Sequence, residues 1–156
     1  MVRVPVLGDS LDEPTEMIRL HLSAQRGLTI RRTSARGIID DDDPPPVLRL
    51  ADVSVPEPAA GSTVASVPVT LSRPSGRTVS VQLHTVVGTA DTNDFTPVTM
   101  TVTFPPGTAS RVVGIPVLAD SLDEPVETFE LRTGALVNAT LGVGVAHISI
   151  LPPSAP

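Results

Sequence analysis

The chain is predicted to be all-β: a two-sheet Greek-key sandwich of about seven strands, preceded by a partial, about three-stranded repeat of the same fold. Composition supplies the first reason. Seventeen Pro, eleven Gly and three aromatic residues in 156, with many Val and Thr, suit short strands between turns better than helices. The second is the alternation of apolar with polar residues along most stretches between those turns. The third is an internal repeat. Residues 5–20, PVLGDSLDEPTEMIRL, return at 116–131 as PVLADSLDEPVETFEL, with 11 of 16 positions identical at a constant offset of 111. That offset exceeds the roughly 20–50 residues of solenoid units and suits a sandwich domain of roughly 100. The chain therefore reads as the trailing part of one domain, residues 1–43, a Pro-rich linker, 44–46, a complete domain, 47–151, and a tail, 152–156.

In the first part, residues 1–7 read as a strand that enters an acidic loop carrying Asp9, Asp12, Glu13 and Glu16. A second strand follows, in which Ile18, Leu20 and Leu22 share one face and Met17, Arg19 and His21 the other. A third short run lies around 35–39. Asp40, Asp41, Asp42 and Asp43 then meet Pro44, Pro45 and Pro46, and a like-charged run before a stiff Pro spacer marks a domain boundary.

In the second part, Leu48 and Leu50 fall on one parity and Val53 and Val55 on the other, so the first strand is expected to kink from one sheet to the other. Val67, Val69 and Leu71 alternate in the next strand and Val79, Val81 and Leu83 in the one after. The turn Arg73-Pro74-Ser75-Gly76 between them predicts a hairpin. A loop over 88–97 carries Asp91 and Asp94, and Val98, Met100, Val102 and Phe104 then alternate with threonines. Val113, Ile115 and Val117 form the strand that runs into the second acidic loop. Pro116 has no N–H to donate, which places that strand at a sheet edge or this position at an unpaired site. Phe129 and Leu131, then Ala146, Ile148 and Ile150, supply the last core strands.

Charge narrows the function. Seventeen acidic residues oppose eleven Arg, a net charge of −6, which argues against phosphate-backbone binding and for a cationic partner. With no cysteine, disulfides and thiolate metal sites are excluded. No apolar run has the length of a signal peptide core or of a bilayer span. In the second loop Asp120, Asp123, Glu124 and Glu127 fall within eight residues and repel one another unless a cation sits among them. Ca2+ suits such a set because it takes roughly 6–8 oxygen ligands in a flexible shell, whereas Mg2+ keeps several of its waters. The alternative is a solvated acidic turn, and duplication would copy either kind. The 40–43 run lacks the Gly and Glu of an EF-hand loop.

Three segments together resemble the Calx-beta family: Ile39 with the Asp run and Pro44; the loop Asp120, Glu124, Glu127 followed by Phe129; and Gly88-Thr89-Ala90 with Asp94-Phe95-Thr96-Pro97-Val98. The resemblance covers 47–151 and, for its later half, 1–43. It implies a seven-stranded immunoglobulin-like sandwich, of the kind found as calcium sensors in sodium/calcium exchangers and as tandem modules of large bacterial surface proteins. It also implies metal ligands at Glu57, Asp94, Asp120, Glu124 and Glu127, with Asp123 as an extra. The second copy departs from the pattern by ending in Ile150-Leu151-Pro152-Pro153 where the first has Asp40 to Asp43. The first copy has Asp9, Asp12, Glu13, Glu16 and the Asp run but lacks the strands that carry the other ligands. One weak Ca2+ site at most is expected, in residues 47–156, in the range of about 10⁻⁴–10⁻³ M.

Catalysis is not expected, since His21, His84 and His147 fall on outward positions of separate strands with no nucleophile pattern beside them. The expected role is a calcium-binding module of a tandem-repeat, surface or adhesion-type protein, extracellular or at the cell surface, with a metal-free structural spacer as the alternative. The half-repeat's exposed strand edges are expected to pair with other repeats or other protein chains.

Overall fold

Residues 2–23, 26–27, 31–120 and 124–152 are described in a computed structural model of the protein. The strands among them are β1 Glu16–His21, β2 Ser34–Ile39, β3 Val47–Leu50, β4 Val53–Pro56, β5 Ser62–Leu71, β6 Val79–Val86, β7 Thr99–Phe104, β8 Ser110–Leu118, β9 Glu127–Val137, β10 Thr140–Val143 and β11 Val145–Leu151. The chain is all-β. Nine of these strands form two facing sheets, β10-β3-β5-β8 and β4-β11-β9-β6-β7, and β1 and β2 form a separate antiparallel pair.

The parity switch in the first strand has the expected consequence. β3 lies in one sheet and β4 in the other, with Ala51 and Asp52 between them. Each half pairs in parallel with a C-terminal strand, β3 with β10 and β4 with β11. β8 is an edge strand, one of the two placements expected from Pro116, and the Pro116 carbonyl accepts a hydrogen bond from Thr96 N at 2.9 Å.

Two expectations are corrected. β5 and β6 are not a hairpin: β5 pairs with β3 and β8 in one sheet, and β6 with β7 and β9 in the other. Both edges of β5 are thus taken, and the turn at 73–76 carries the chain across the sandwich. Residues 2–7, expected as a strand, form none, and β1 and β2 are the strands of the first part among the described residues. Its counterpart 111 residues later, β8, is held by β5, and no such partner stands beside 2–7 among the described residues.

Alternating inward side chains fill the space between the sheets. Val67 and Val69 from β5, Val79, Val81 and Leu83 from β6, Ile115 and Val117 from β8, and Leu131 and Ile148 from β9 and β11 are fully buried. The three Phe supply the bulk, and all are fully buried. Phe95 stacks on Phe129 with ring centroids 3.9 Å apart and planes 7° apart, which joins the 88–97 loop to the start of β9.

The first acidic loop, just before β1, is docked on the turn between β5 and β6. Asp12 is 5% exposed. Its carboxylate lies 3.2 Å from Arg77 Nε, and its carbonyl accepts from Gly76 N at 3.0 Å. Ser75 Oγ donates toward Asp12 at 3.1 Å to O and 3.2 Å to Oδ2, while Arg77 Nη2 donates to Glu13 O at 2.5 Å. Pro44 O accepts from Arg73, and Pro46 O from Thr140 N at 2.9 Å, so the Pro run lies along the sandwich. No helix among the described residues is long and apolar enough to cross a membrane.

Candidate metal site

Three segments meet at one end of the sandwich. The first is the exit of β4, where Glu57 N donates to Leu151 O at 2.8 Å and fixes the half-buried Glu57 beside the end of β11. The Glu57 Oε1 atom accepts from Asp120 N at 3.0 Å, which joins it to the start of the acidic loop.

The second is the 88–97 loop. Ala90 N donates to Thr128 O at 3.0 Å, and Thr128 N donates to Thr89 Oγ1 at 2.8 Å. Gly88 permits that approach: a Cβ there would stand 2.3 Å from the Thr128 carbonyl oxygen. Asp91 and Asp94 close a tight turn, with Asp91 N donating to Asp94 Oδ2 and Asn93 N to Asp91 Oδ1, both at 2.6 Å. Leu118 N donates to Asp94 O at 2.8 Å. With Phe95 held in the core by Phe129, Asp94 faces the acidic loop from a rigid support.

The third is the acidic loop itself. Asp94, Glu124 and Glu127 each offer a carboxylate oxygen within 4.8 Å of the others. Asp91 and Asp120 line the same depression, together with Thr89 and Asn93. Partial burial and then the charges of Asp94 and Glu124 push the Glu127 carboxyl up to about 7, helped by a hydrogen bond with Asp94 and the charge of Asp91. Desolvation, then Asp120, Asp94, Glu57 and Asp91, raises Glu124 from its ordinary value. All-oxygen donors and mutual repulsion that a cation would relieve fit a hard divalent ion with a flexible shell.

The structure thus brings together Glu57, Asp94, Asp120, Glu124 and Glu127 from the sequence-predicted set; Asp123 lies outside the described residues. Sequence reasoning did not select Asp91, although its D-x-x-D spacing to Asp94 was a usable signal. Ile150, Leu151 and Pro152 line an adjoining depression with Glu57, Asp94, Glu124 and Glu127, at the positions where the first copy carries Ile39, Asp40 and Asp41. In the first copy, Asp9, Glu13, Glu16 and Asp40 to Asp43 line one cavity. There Glu13 N donates to Asp41 Oδ2 at 3.0 Å, and desolvation followed by the charges of Asp9, Glu16 and Asp41 raises the Glu13 carboxyl. Asp12 is placed apart, in its ion pair with Arg77. His21, His84 and His147 stand on β1, β6 and β11, away from both clusters.

The Calx-beta domain family profile matches residues 40–153. The chain belongs to the Calx-beta domain family. Among solved structures, the apo form of the Calx CBD1 domain is similar at a TM-score of 0.62 and 24% identity, over 70% of this chain and 99% of that one. The calcium binding domain CBD12 of CALX1.1 is similar at 0.60 and 26%, over 67% of this chain and 45% of that longer one. The Calx CBD2 domain shares the fold at 0.55 and 16%, over 67% and 85%. In this Calx-beta sandwich the motif residues act on loop placement. Gly88, Ala90 and Phe95 hold Asp94 opposite Glu127, so part of the pattern positions the carboxylates without contributing one.

Proposed function

We propose that the chain is a non-catalytic calcium-binding module and that Asp94, Glu124 and Glu127 carry the site, with Glu57, Asp91 and Asp120 completing its oxygen donors. One observation carries this reading: carboxylates from two separate loops converge within 4.8 Å on supports that keep them there. Asp123 is proposed as a further donor from the same loop. The second, partial site is proposed at Asp9, Glu13, Glu16 and the Asp40 to Asp43 run. Residues 47–151 are proposed as the complete domain, within a tandem-repeat, surface or adhesion-type protein.

The metal-free spacer is the competing reading, favoured by Leu151 and Pro152 standing where the first copy has carboxylates. Calcium titration followed by melting temperature decides between them. A ligand that binds the folded state alone stabilises it by RT ln(1 + [L]/Kd), so Ca2+ at about ten times a millimolar Kd adds roughly 1.4 kcal/mol. Glu124→Ala should abolish the rise in midpoint. An unchanged midpoint in the unsubstituted protein would support the spacer.

A further inference from the structure

The hairpin β1–β2 reproduces the pair β9–β11 residue for residue at the offset of 111. Glu16 pairs with Ile39 as Glu127 pairs with Ile150, and His21 with Ser34 as Arg132 with Val145. In the sandwich, however, β9 and β11 each have a second neighbour. The other edge of β9 is taken by β6 in antiparallel pairing, and the other edge of β11 by β4 in parallel. Among the described residues, the sheet formed by β1 and β2 has two strands.

Burial shows the same gap. Val113, Ile115 and Val117 are 2, 0 and 0% exposed, whereas their counterparts Val2, Val4 and Val6 are 63, 51 and 57% exposed. Residues 2–7 carry the inward side chains of a sandwich strand, and nothing among the described residues seals them. What seals them in the complete copy follows from its pairing: β5 runs antiparallel to β8, with Val67 opposite Val113, Ala65 opposite Ile115 and Thr63 opposite Val117.

We propose that residues 2–7 with β1 and β2 form a docking surface for the first-half strands of a Calx-beta repeat, a polypeptide segment with the pattern of residues 47–111. The pairing of the complete copy fixes how it sits. A β5-like strand lies antiparallel to 2–7, a β6-like strand antiparallel to β1, and a β4-like strand parallel to β2. Main-chain hydrogen bonds along these edges provide attachment, and the alternating inward side chains fix register, since a slip by one residue would turn every core residue outward. A second copy of this chain is the poorer occupant, because its own first-half strands are already held by β8, β9 and β11.

The test adds a polypeptide of residues 47–111 to the full chain carrying Val6→Cys and follows two local signals, thiol labelling at position 6 and hydrogen exchange in β1 and β2. Binding should slow both by about tenfold or more, since an amide or thiol in a newly closed core reacts only through opening. Ile18→Asp should remove the protection while leaving exchange in β5 and β6 unchanged. Unchanged labelling and exchange with the polypeptide in solution would overturn the proposal. So would equal protection in the chain alone accompanied by a doubled mass in light scattering, which makes a second copy the occupant. Where the free polypeptide aggregates, placing residues 47–111 directly before residue 1 of the Val6→Cys chain decides it: a thiol at position 6 labelled at the unfused rate refutes the docking.

Discussion

Lowering the pH from about 8 to about 6 should weaken calcium binding about tenfold, because the proposed site needs Glu127 deprotonated and that carboxyl is pushed up to about 7. The ionised fraction of such a group is about 0.9 at pH 8 and about 0.09 at pH 6, and their ratio is the expected loss. The raised carboxyl of Glu124 acts in the same direction. Binding at pH 7 should release about half a proton from Glu127, measurable by calorimetry in two buffers of different ionisation enthalpy.

Stability without the ion should move the opposite way. An unfolded Glu titrates near 4.5 and this folded one near 7, so between those values the folded state holds the proton that the unfolded state has lost. Metal-free stability therefore falls as pH rises from 4.5 to 7, while calcium affinity rises over the same window. Glu127→Gln should flatten both dependences. Affinities equal within about twofold at pH 6 and 8 would refute the reasoning from carboxylate crowding.

Three further outcomes are expected. Gly88→Ala drives a Cβ into the Thr128 carbonyl oxygen and should cost about 1–3 kcal/mol in denaturant melts, and it should weaken calcium binding because Glu127 adjoins the displaced strand. Phe129→Ala opens the stack on Phe95 and should cost about 3–5 kcal/mol in the same assay; a loss below about 1 kcal/mol would count against the stack as the loop's anchor. Asp12→Ala strands Arg77, whose side chain is 36% exposed, at a cost on the order of 1 kcal/mol, between the values for surface and buried pairs. Limited proteolysis within residues 1–43 should then accelerate, with little change in the melting midpoint of the sandwich.

Much of the fold was legible because a half-buried strand writes its burial in period two. The parity break between Leu50 and Val53 announced the change of sheet, and Pro116 narrowed its strand to an edge or an unpaired position, of which the edge is found. Local pattern could not say which strand neighbours which: Val67 to Leu71 and Val79 to Leu83 look like hairpin arms, and the turn between them is equally suited to crossing the core. The strand expected at 1–7 failed for a related reason, since alternation describes what a segment could bury and a strand exists only when a partner supplies the other half of its hydrogen bonds. The candidate site was half legible. Acids adjacent in sequence, such as Glu124 and Glu127, could be grouped at once, whereas Asp91 reaches them through the closure of the 88–97 loop on Thr128, and Asp12 leaves its neighbours for Arg77.

The parallel pairing of β4 with β11 also sets how the sandwich carries load. Tension applied at residue 47 and at residue 151 pulls these two strands in opposite directions along their length, so the four residue pairs from Val53–Ile148 to Pro56–Leu151 are sheared together rather than unzipped in turn. The β3–β10 pairing, also parallel, adds a second shear patch in the other sheet. A module joined end to end in this way should resist stretching far better than one pulled across its strands, and single-molecule force spectroscopy with tethers at 47 and 151, against tethers at 73 and 151, reads the difference.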